Sequence, residues 1–243
     1  MLTPLILKSI TLEDSGKSSH ATIQRKALGT SALLGALTNV PLPGKTTYVP
    51  FLEVPKVTDT SFVVGGLTLT KKTHQASGTL TDETLEDSNV PLSPVLEDLL
   101  AMQLRLKLES DVTAKLKADV TPSVLTGVAP TAPATVIGLL GALDPLVFDN
   151  SPIIVTCSHA RGIELVASTE IKNLVTAGIV TIAPCTGMTY ADIVVLHSHG
   201  AKIGYEATAL EVDRSPGSQL STVYVQGTLG SAFSPTYVKR AVI

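Results

Sequence analysis

Two histidines separated by one residue are the most suggestive chemical feature of this 243-residue sequence. In His197-Ser198-His199, the spacing places both imidazoles on one face if the segment is a β-strand, and two imidazoles can supply two ligands to a metal ion. A zinc site needs at least a third protein ligand, and Asp192 lies too far before His197 on a short strand to share its position. We therefore favour core or exposed histidines over a metal site.

The cysteines, Cys157 and Cys185, are candidate nucleophiles. Cys157 with His159, or Cys185 with a distant histidine, would provide a thiol and a general base. Cys157 follows an apolar stretch and Cys185 follows Pro184, which are usual places for a packed thiol, and no active-site signature surrounds either cysteine. Two cysteines alone also cannot form a zinc site. We expect both to be reduced core residues.

Glycine-containing and acidic segments complete the set of candidate sites. Gly65-Gly66 and the segment from Gly200 to Gly204 match neither a phosphate-binding loop nor a dinucleotide fingerprint, and we predict turns there. A cluster of four acidic residues has the chemistry for metal binding or acid–base catalysis; it consists of Asp82, Glu83, Glu86 and Asp87. Solvated charges or salt bridges to a neighbouring chain are the favoured interpretation. We assign no catalytic, cofactor-binding or metal-binding residue and expect no cofactor.

The composition is that of an apolar chain with little charge. Hydrophobic residues make up 44% of the sequence and charged residues 16%, whereas aromatic residues reach 4% and tryptophan is absent. A net charge of −3 argues against a basic surface for nucleic acid, and no apolar stretch is long enough to cross a bilayer. Met1–Ile10 lacks the basic start of a secretory signal. Such a chain is expected to bury large contacts with copies of itself.

The first third of the chain predicts an arm and a hairpin. Residues 1–44 show little sustained periodicity, so we expect an extended arm that packs along its own body or along a neighbour. From Thr46 the alternation is typical of strands, and Pro50 and Pro55 restrict the first strand to an edge. We therefore predict a long hairpin that stands away from the body.

A long helix is the clearest prediction in the sequence. Ser93 can cap its N-terminus, Pro94 suits the first turn, and the segment through Asp119 would form a rod of roughly 40 Å. Its apolar residues form two rows at spacings of three and four. The first row is Val95, Leu99, Met102 and Leu106, and the second is Leu96, Leu100, Leu104, Leu108, Val112 and Leu116.

The rest of the chain predicts helices alternating with strands, followed by strands alone. The predicted helices cover residues 132–143, 159–166 and 170–175, with Ser158 as the cap of the second. The predicted strands cover residues 153–156, 178–182, 192–196, 208–212, 221–226 and 237–243, with a turn at 215–218.

This order of parts resembles the major capsid proteins of tailed phages, whose Hong Kong phage capsid fold is shared with the encapsulin shells. Leu67–Thr81, the acidic run Glu83–Asp87 and Val95–Leu116 look like the returning strand of an extended loop, the segment after it and the spine helix. The resemblance implies an α+β fold. Its implied parts are an N-terminal arm (1–44), an extended β-hairpin loop (45–80), a peripheral domain (81–130) with its spine helix (93–119), an axial domain (131–206) and closing strands of the peripheral domain (207–243).

The function implied by the resemblance is structural. Hexamers and pentamers of the chain would form the icosahedral head around the double-stranded DNA of a tailed phage, without sequence-specific DNA binding and without a membrane. Portal, scaffold or decoration proteins would be partners, and the chain would be found in the virion and, during assembly, in the host cytoplasm. The alternatives are an encapsulin-like compartment shell and, in another class, a small α/β enzyme that uses Cys157 or the pair His197 and His199.

Overall fold

The computed structural model describes residues 23, 26–52, 64–81, 92–143, 153–214 and 220–243. Within these ranges the chain has the expected α+β architecture. The helices are α1 (Ala32–Ala36), α2 (Leu92–Asp119), α3 (Ala132–Ala142), α4 (His159–Ala167) and α5 (Thr169–Thr176). The strands are β1 (Thr38–Asn39), β2 (Thr46–Leu52), β3 (Val64–Thr70), β4 (Lys72–Thr81), β5 (Ile153–Cys157), β6 (Val180–Ile182), β7 (Asp192–Leu196), β8 (Ala201–Arg214), β9 (Leu220–Phe233) and β10 (Val238–Val242).

The chain divides into two compact units, each assembled from three stretches of sequence. The first unit takes Met1–Thr30, Lys72–Leu108 and Glu206–Leu229. The second takes Ser31–Lys71, Glu109–Tyr205 and Gly230–Ile243. The helix α2 and the strands β8 and β9 therefore each contribute one part to each unit.

In the first unit, α2 packs beside the antiparallel pair of β4 and β9. Ala76 and Val225 are register partners in this pair, and both are fully buried. A Cβ atom at Gly78 would lie 2.9 Å from Leu96 Cδ1, so the helix approaches this strand closely. The buried side of α2 in this unit is part of the second predicted apolar row, and its members Leu100, Leu104 and Leu108 are at most 1% exposed.

The second unit is built on a four-stranded sheet with the order β10-β7-β5-β6, which we call the central sheet. The strand β5 is parallel to β6 and antiparallel to β7, and β7 is antiparallel to β10. All five residues of β5 and of β7 are buried, and both strands lie where the sequence predicted strands. One buried cluster joins α3, α4 and α5 to the sheet; it includes Val136, Leu139, Val155, Leu165, Ile171, Val180, Ile193 and Val195.

Serine caps set the ends of the two helices that follow β5. The Ser158 hydroxyl accepts a hydrogen bond from the backbone N–H of Arg161 at 3.3 Å, and α4 begins directly after this residue. The Ser168 hydroxyl accepts one from the N–H of Ile171 at 3.4 Å and begins α5. The capping role predicted for Ser158 is therefore confirmed, since its oxygen satisfies a donor that the first helical turn leaves unpaired.

A two-stranded antiparallel ribbon, formed by β2 and β3, also belongs to the second unit. Its pairing runs from Thr46 with Thr70 to Leu52 with Val64. Pro50 therefore lies in a two-stranded sheet, where its missing N–H interrupts no central ladder. One face of the ribbon packs on a small buried cluster formed by Leu42, Leu67, Leu69 and Ala232, against which Val40, Val49 and Phe51 also pack.

The described end of the predicted arm packs along its own chain. The Ser31 hydroxyl accepts a hydrogen bond from the N–H of Leu34 at 3.1 Å and caps α1. The short strand β1 then pairs in parallel with the start of β8, with Thr38 opposite Lys202. Of the two alternatives for the arm, residues 31–44 thus take the one in which apolar side chains such as Leu42 are buried within the subunit.

The turn predicted for the glycine motifs is found at Gly200, whose N–H donates to the carbonyl of His197 at 3.1 Å, but the other three glycines are strand residues, so the prediction is wrong for them. Gly65 and Gly66 lie inside β3, and β8 begins at Ala201 and contains Gly204. The reason is close approach, since a Cβ atom at Gly204 would lie 2.4 Å from Leu42 Cγ. Glycine here makes room for a neighbouring side chain and does not reverse the chain. The same sheet shows that β8 and β9 are longer than predicted, at 14 residues each.

Candidate assembly surfaces

The two histidines follow β7 in a turn. The prediction that they share one face of a strand is therefore wrong. The strand ends at Leu196, and the backbone N–H of His197 donates to the carbonyl of Tyr237 at 3.0 Å. His197 is buried, its Nδ1 accepts the backbone N–H of His199 at 3.3 Å, and the two ring centroids are 5.2 Å apart. In the part of the chain that the structure describes, no three His, Cys, Asp or Glu side chains are grouped to hold a metal ion.

The two cysteines are free, buried thiols on opposite faces of the central sheet. Cys157 Sγ faces α4 beside Gly162, whereas Cys185 Sγ lies 3.6 Å from Thr156 Oγ1. Residues 156 and 157 are consecutive in a strand and point to opposite faces. Burial raises the pKa of Cys157 to about 12 and raises that of Cys185 as well. Such thiols are poor nucleophiles, and the predicted partner of Cys157, His159, is exposed whereas the thiol is buried.

Several predicted features lie outside the described residues. They are the part of the arm before Ile23, residues 53–63 between the strands of the ribbon, and the acidic cluster of Asp82, Glu83, Glu86 and Asp87. The predictions made for these residues stay predictions.

A buried ion cluster in the second unit joins α2, β7 and β10. The side chain of Asp192 is 4% exposed, and its Oδ1 accepts hydrogen bonds from Arg240 Nη2 at 2.8 Å and Nε at 3.0 Å. Its Oδ2 lies 2.8 Å from Lys117 Nζ and accepts from Thr189 Oγ1 at 2.6 Å. Burial alone would raise the pKa of this carboxyl, but the hydrogen bonds from Lys117, Thr189 and Arg240 outweigh it and lower the pKa to about 2. Both oxygens are occupied, so the cluster is structural.

The sequence analysis missed this cluster. Its members come from three elements that are distant in the sequence. Taken singly, each charged residue looks like an ordinary surface residue. The available signal is Asp192 at the start of an otherwise wholly apolar strand, because a carboxylate at a buried strand position requires partners.

The helix α2 carries one buried and one exposed apolar row. Its second row is buried as a core stripe, whereas the first row, which we call the outer row, remains open to solvent. Exposure in the outer row is 47% for Val95, 48% for Leu99, 46% for Met102 and 38% for Leu106. A contiguous apolar stripe on a helix surface is typical of an interaction site.

The ribbon also exposes large apolar side chains. Tyr48 and Val64 are each 61% exposed, and only Leu67 and Leu69 of β3 are buried. The Tyr48 ring lies across Gly66, where a Cβ atom would be 2.0 Å from Tyr48 Oη, so the absence of a side chain shapes the ribbon surface. An isolated two-stranded hairpin is marginally stable in water; this ribbon packs one face on the unit and leaves the other face available for further contacts.

A third apolar surface lies on α4 in the second unit. Ile163 is 74% exposed and Val166 is 56% exposed. Beside them the Arg161 guanidinium stacks 3.8 Å above the ring of Tyr190, and Glu164 Oε2 accepts hydrogen bonds from Arg161 Nη1 at 2.7 Å and from Tyr190 Oη at 3.1 Å. The aromatic ring is thereby held in a fixed position next to the apolar residues.

No helix in the described ranges has the length and apolar character needed to cross a membrane.

Comparison with known proteins gives a clear result for structure and none for sequence. No family model matches the chain, and no curated protein matches it. A virus-like particle from Pyrococcus furiosus has 12% identity and a TM-score of 0.68, covering 93% of this chain and 98% of that chain. The capsid of a native GTA particle has 11% identity and a TM-score of 0.63, covering 90% of each chain. A satellite phage P4 procapsid including size determination (Sid) protein has 9% identity and a TM-score of 0.60, covering 91% of this chain and 98% of that chain. The chain therefore has the capsid fold that its sequence resemblance implied.

Proposed function

We propose that the chain is a shell-forming structural protein, the major capsid protein of a tailed bacteriophage. The observation that carries this proposal is the match of nearly the whole chain to a virus-like particle and to phage and GTA capsids. The exposed apolar surfaces on the ribbon and α4 support it, because a chain that leaves such surfaces open gains free energy when copies of itself cover them.

In this proposal the parts of the fold divide the work of assembly. Residues 131–206 would form the axial domain around the symmetry axes of hexamers and pentamers, and residues 81–130 and 207–243 would form the peripheral domain. The ribbon and its connecting residues, within 45–80, would reach a neighbouring subunit, whereas residues 31–44 of the arm pack within their own subunit. Each contact is modest, but a closed shell repeats it many times, so the sum is large.

The proposed contents and partners follow from the same role. The shell would enclose double-stranded DNA without reading its sequence, and a net charge of −3 suits a wall that does not adhere to DNA. A portal protein, and scaffold or decoration proteins, would be further partners. The chain would be found in the virion and, before completion of the shell, in the host cytoplasm. It would have no catalytic role, in keeping with the raised pKa values of both thiols.

The register of the ribbon provides a sharp test of assembly. Because Leu52 is paired with Val64, residues 53–63 can be replaced by Asn-Gly, which forms a two-residue hairpin turn. We expect the wild-type chain to form uniform closed particles in electron micrographs. The shortened chain should keep its unfolding free energy within about 1 kcal/mol but sediment as small oligomers, since every register pair of the ribbon is kept.

Lys172→Ser, an exposed change on α5, is the matched control and should leave particle formation intact. A wild-type chain that stays a monomer or dimer at all concentrations would overturn the proposed function. Normal particles from the shortened chain would overturn the role of the ribbon alone.

A second candidate function is an encapsulin-like compartment with a protein cargo. The observation that favours it is the TM-score of 0.68 with the virus-like particle from Pyrococcus furiosus. The two candidates differ in particle content. Purified particles that release nuclease-protected DNA on denaturation support the phage capsid, whereas nucleic-acid-free particles that release a second protein support the compartment.

A further inference from the structure

The outer row of α2 has a neighbour that indicates what covers it. Lys26 Nζ lies 2.7 Å from Asp98 Oδ1 and 3.8 Å from Glu97 Oε2. Four residues later, the carbonyl of Thr30 accepts a hydrogen bond from Arg105 Nη1 at 3.4 Å. Residues 26–30 therefore run along α2 in the same direction as the helix. Their N-terminal end, which adjoins the buried Ile23, lies near the start of the outer row.

The outer row directly adjoins the strip of α2 that residues 26–30 occupy. On a helix surface, residues three and four apart are neighbours. Met102 is four residues after Asp98 and three residues before Arg105, so it lies beside both of these contacts. A chain segment that enters at Lys26 is thus already next to the exposed apolar side chains.

The residues that precede this contact are rich in large aliphatic side chains, which suit contact with the outer row. Half of the first twelve residues are large and aliphatic; they are Leu2, Leu5, Ile6, Leu7, Ile10 and Leu12. The outer row from Val95 to Leu106 spans about 16 Å at the rise of an α-helix. The 22 residues before Ile23 reach roughly 70 Å when extended, which is enough to return along the whole row.

We propose that residues 1–22 bind the outer row of α2 in their own subunit. The attachment at Lys26 and Thr30 holds this segment at a high effective concentration beside the row, which favours the intramolecular contact over one with a second copy. The contact removes an apolar stripe from water before any assembly takes place. It stands independently of the proposed shell function, because it is made within one chain.

Thiol labelling measures this contact directly. Met102→Cys places a single accessible thiol in the outer row, since both native cysteines are buried. The labelling rate is compared between the full chain and a chain that begins at residue 23, in both cases without particles. We expect labelling at position 102 to be at least tenfold faster in the shortened chain. Ala114→Cys, at an exposed position of α2 outside the row, should be labelled at the same rate in both.

A second variant covers the case in which the shortened chain does not fold. In the full chain, Leu5→Gln combined with Ile6→Gln keeps the length but weakens apolar contact, and labelling at position 102 should rise several-fold. Equal rates at position 102 in every background would overturn the proposal. Protection that grows with protein concentration would also overturn it, because it would assign the cover to a second copy. Neither result bears on whether the chain forms shells.

Discussion

The central sheet and the ribbon bury their apolar residues in opposite ways. In the central sheet, every residue of β5 and β7 is buried, and α3, α4 and α5 supply the apolar partners from the same chain. In the ribbon, exposure alternates along β3, so one face is packed, through residues such as Leu67 and Leu69, and the other face is exposed. Tyr48 and Val64 remain largely exposed. The comparison shows that one region of the unit is complete within the subunit, whereas the other has stabilising contacts left to make.

The largest expected change in unfolding free energy comes from a substitution in the core of the central sheet. Leu165 is fully buried in its cluster, so Leu165→Ala removes apolar contacts and leaves a cavity. We expect the free energy of unfolding to fall by roughly 2–5 kcal/mol in denaturant titrations. Val166→Ala on the same helix, at a 56% exposed position, should change it by no more than about 0.5 kcal/mol. Equal losses in the two variants would contradict the comparison.

An acid titration tests the ion cluster that ties the central sheet to α2. The pKa of Asp192 is lowered from 3.8 to about 2, so its contribution is complete above pH 4 and is lost as the pH falls through 2. The shift corresponds to about 2 kcal/mol of unfolding free energy. Measurements between pH 5 and pH 2 should show this loss in the wild type but not in Asp192→Asn, which is less stable at pH 5. If the unfolding free energies of both chains depended on pH in the same way, the cluster would not contribute this stability.

The smallest effect on unfolding free energy is expected from Val64→Thr. This substitution is also the most specific test of the exposed face of the ribbon. This side chain is 61% exposed, so the unfolding free energy should change by less than about 0.5 kcal/mol. If neighbouring copies cover the ribbon, the protein concentration needed for shell assembly should rise several-fold, as light scattering would show. Thr68→Ser, an exposed change on the same strand, is the control and should keep the wild-type threshold. An unchanged threshold for Val64→Thr would mean that its exposed face makes no contact in the shell.

Local signals made much of the fold predictable. The apolar spacing of α2, the Ser158 cap and the apolar residues of β5 and β7 each act within a few residues, and the structure confirms the helix, the cap and both strands. The helix starts at Leu92, so Ser93 is a residue of the first turn and not the predicted N-cap, whereas Pro94 lies in the first turn as predicted.

Features set by distant contacts were not predictable in the same way. Gly204 resembles a turn residue in sequence, and only the approach of Leu42 explains its place in a strand. The two apolar rows of α2 are similar in sequence, and nothing local determines which of them packs against β4. The same limit applies to the assembly surfaces, because exposure depends on what the rest of the chain covers.

The three-way ion cluster also constrains how this sequence can diverge. Lys117, Asp192 and Arg240 share one carboxylate, and the loss of one cation still leaves the other paired, whereas loss of the carboxylate strands two positive charges inside the subunit. Neutral replacement of Asp192 alone is therefore expected to cost more stability than neutral replacement of either cation alone. Among descendants of this chain, the three positions should vary as a linked set, with the aspartate the last of them to be exchanged.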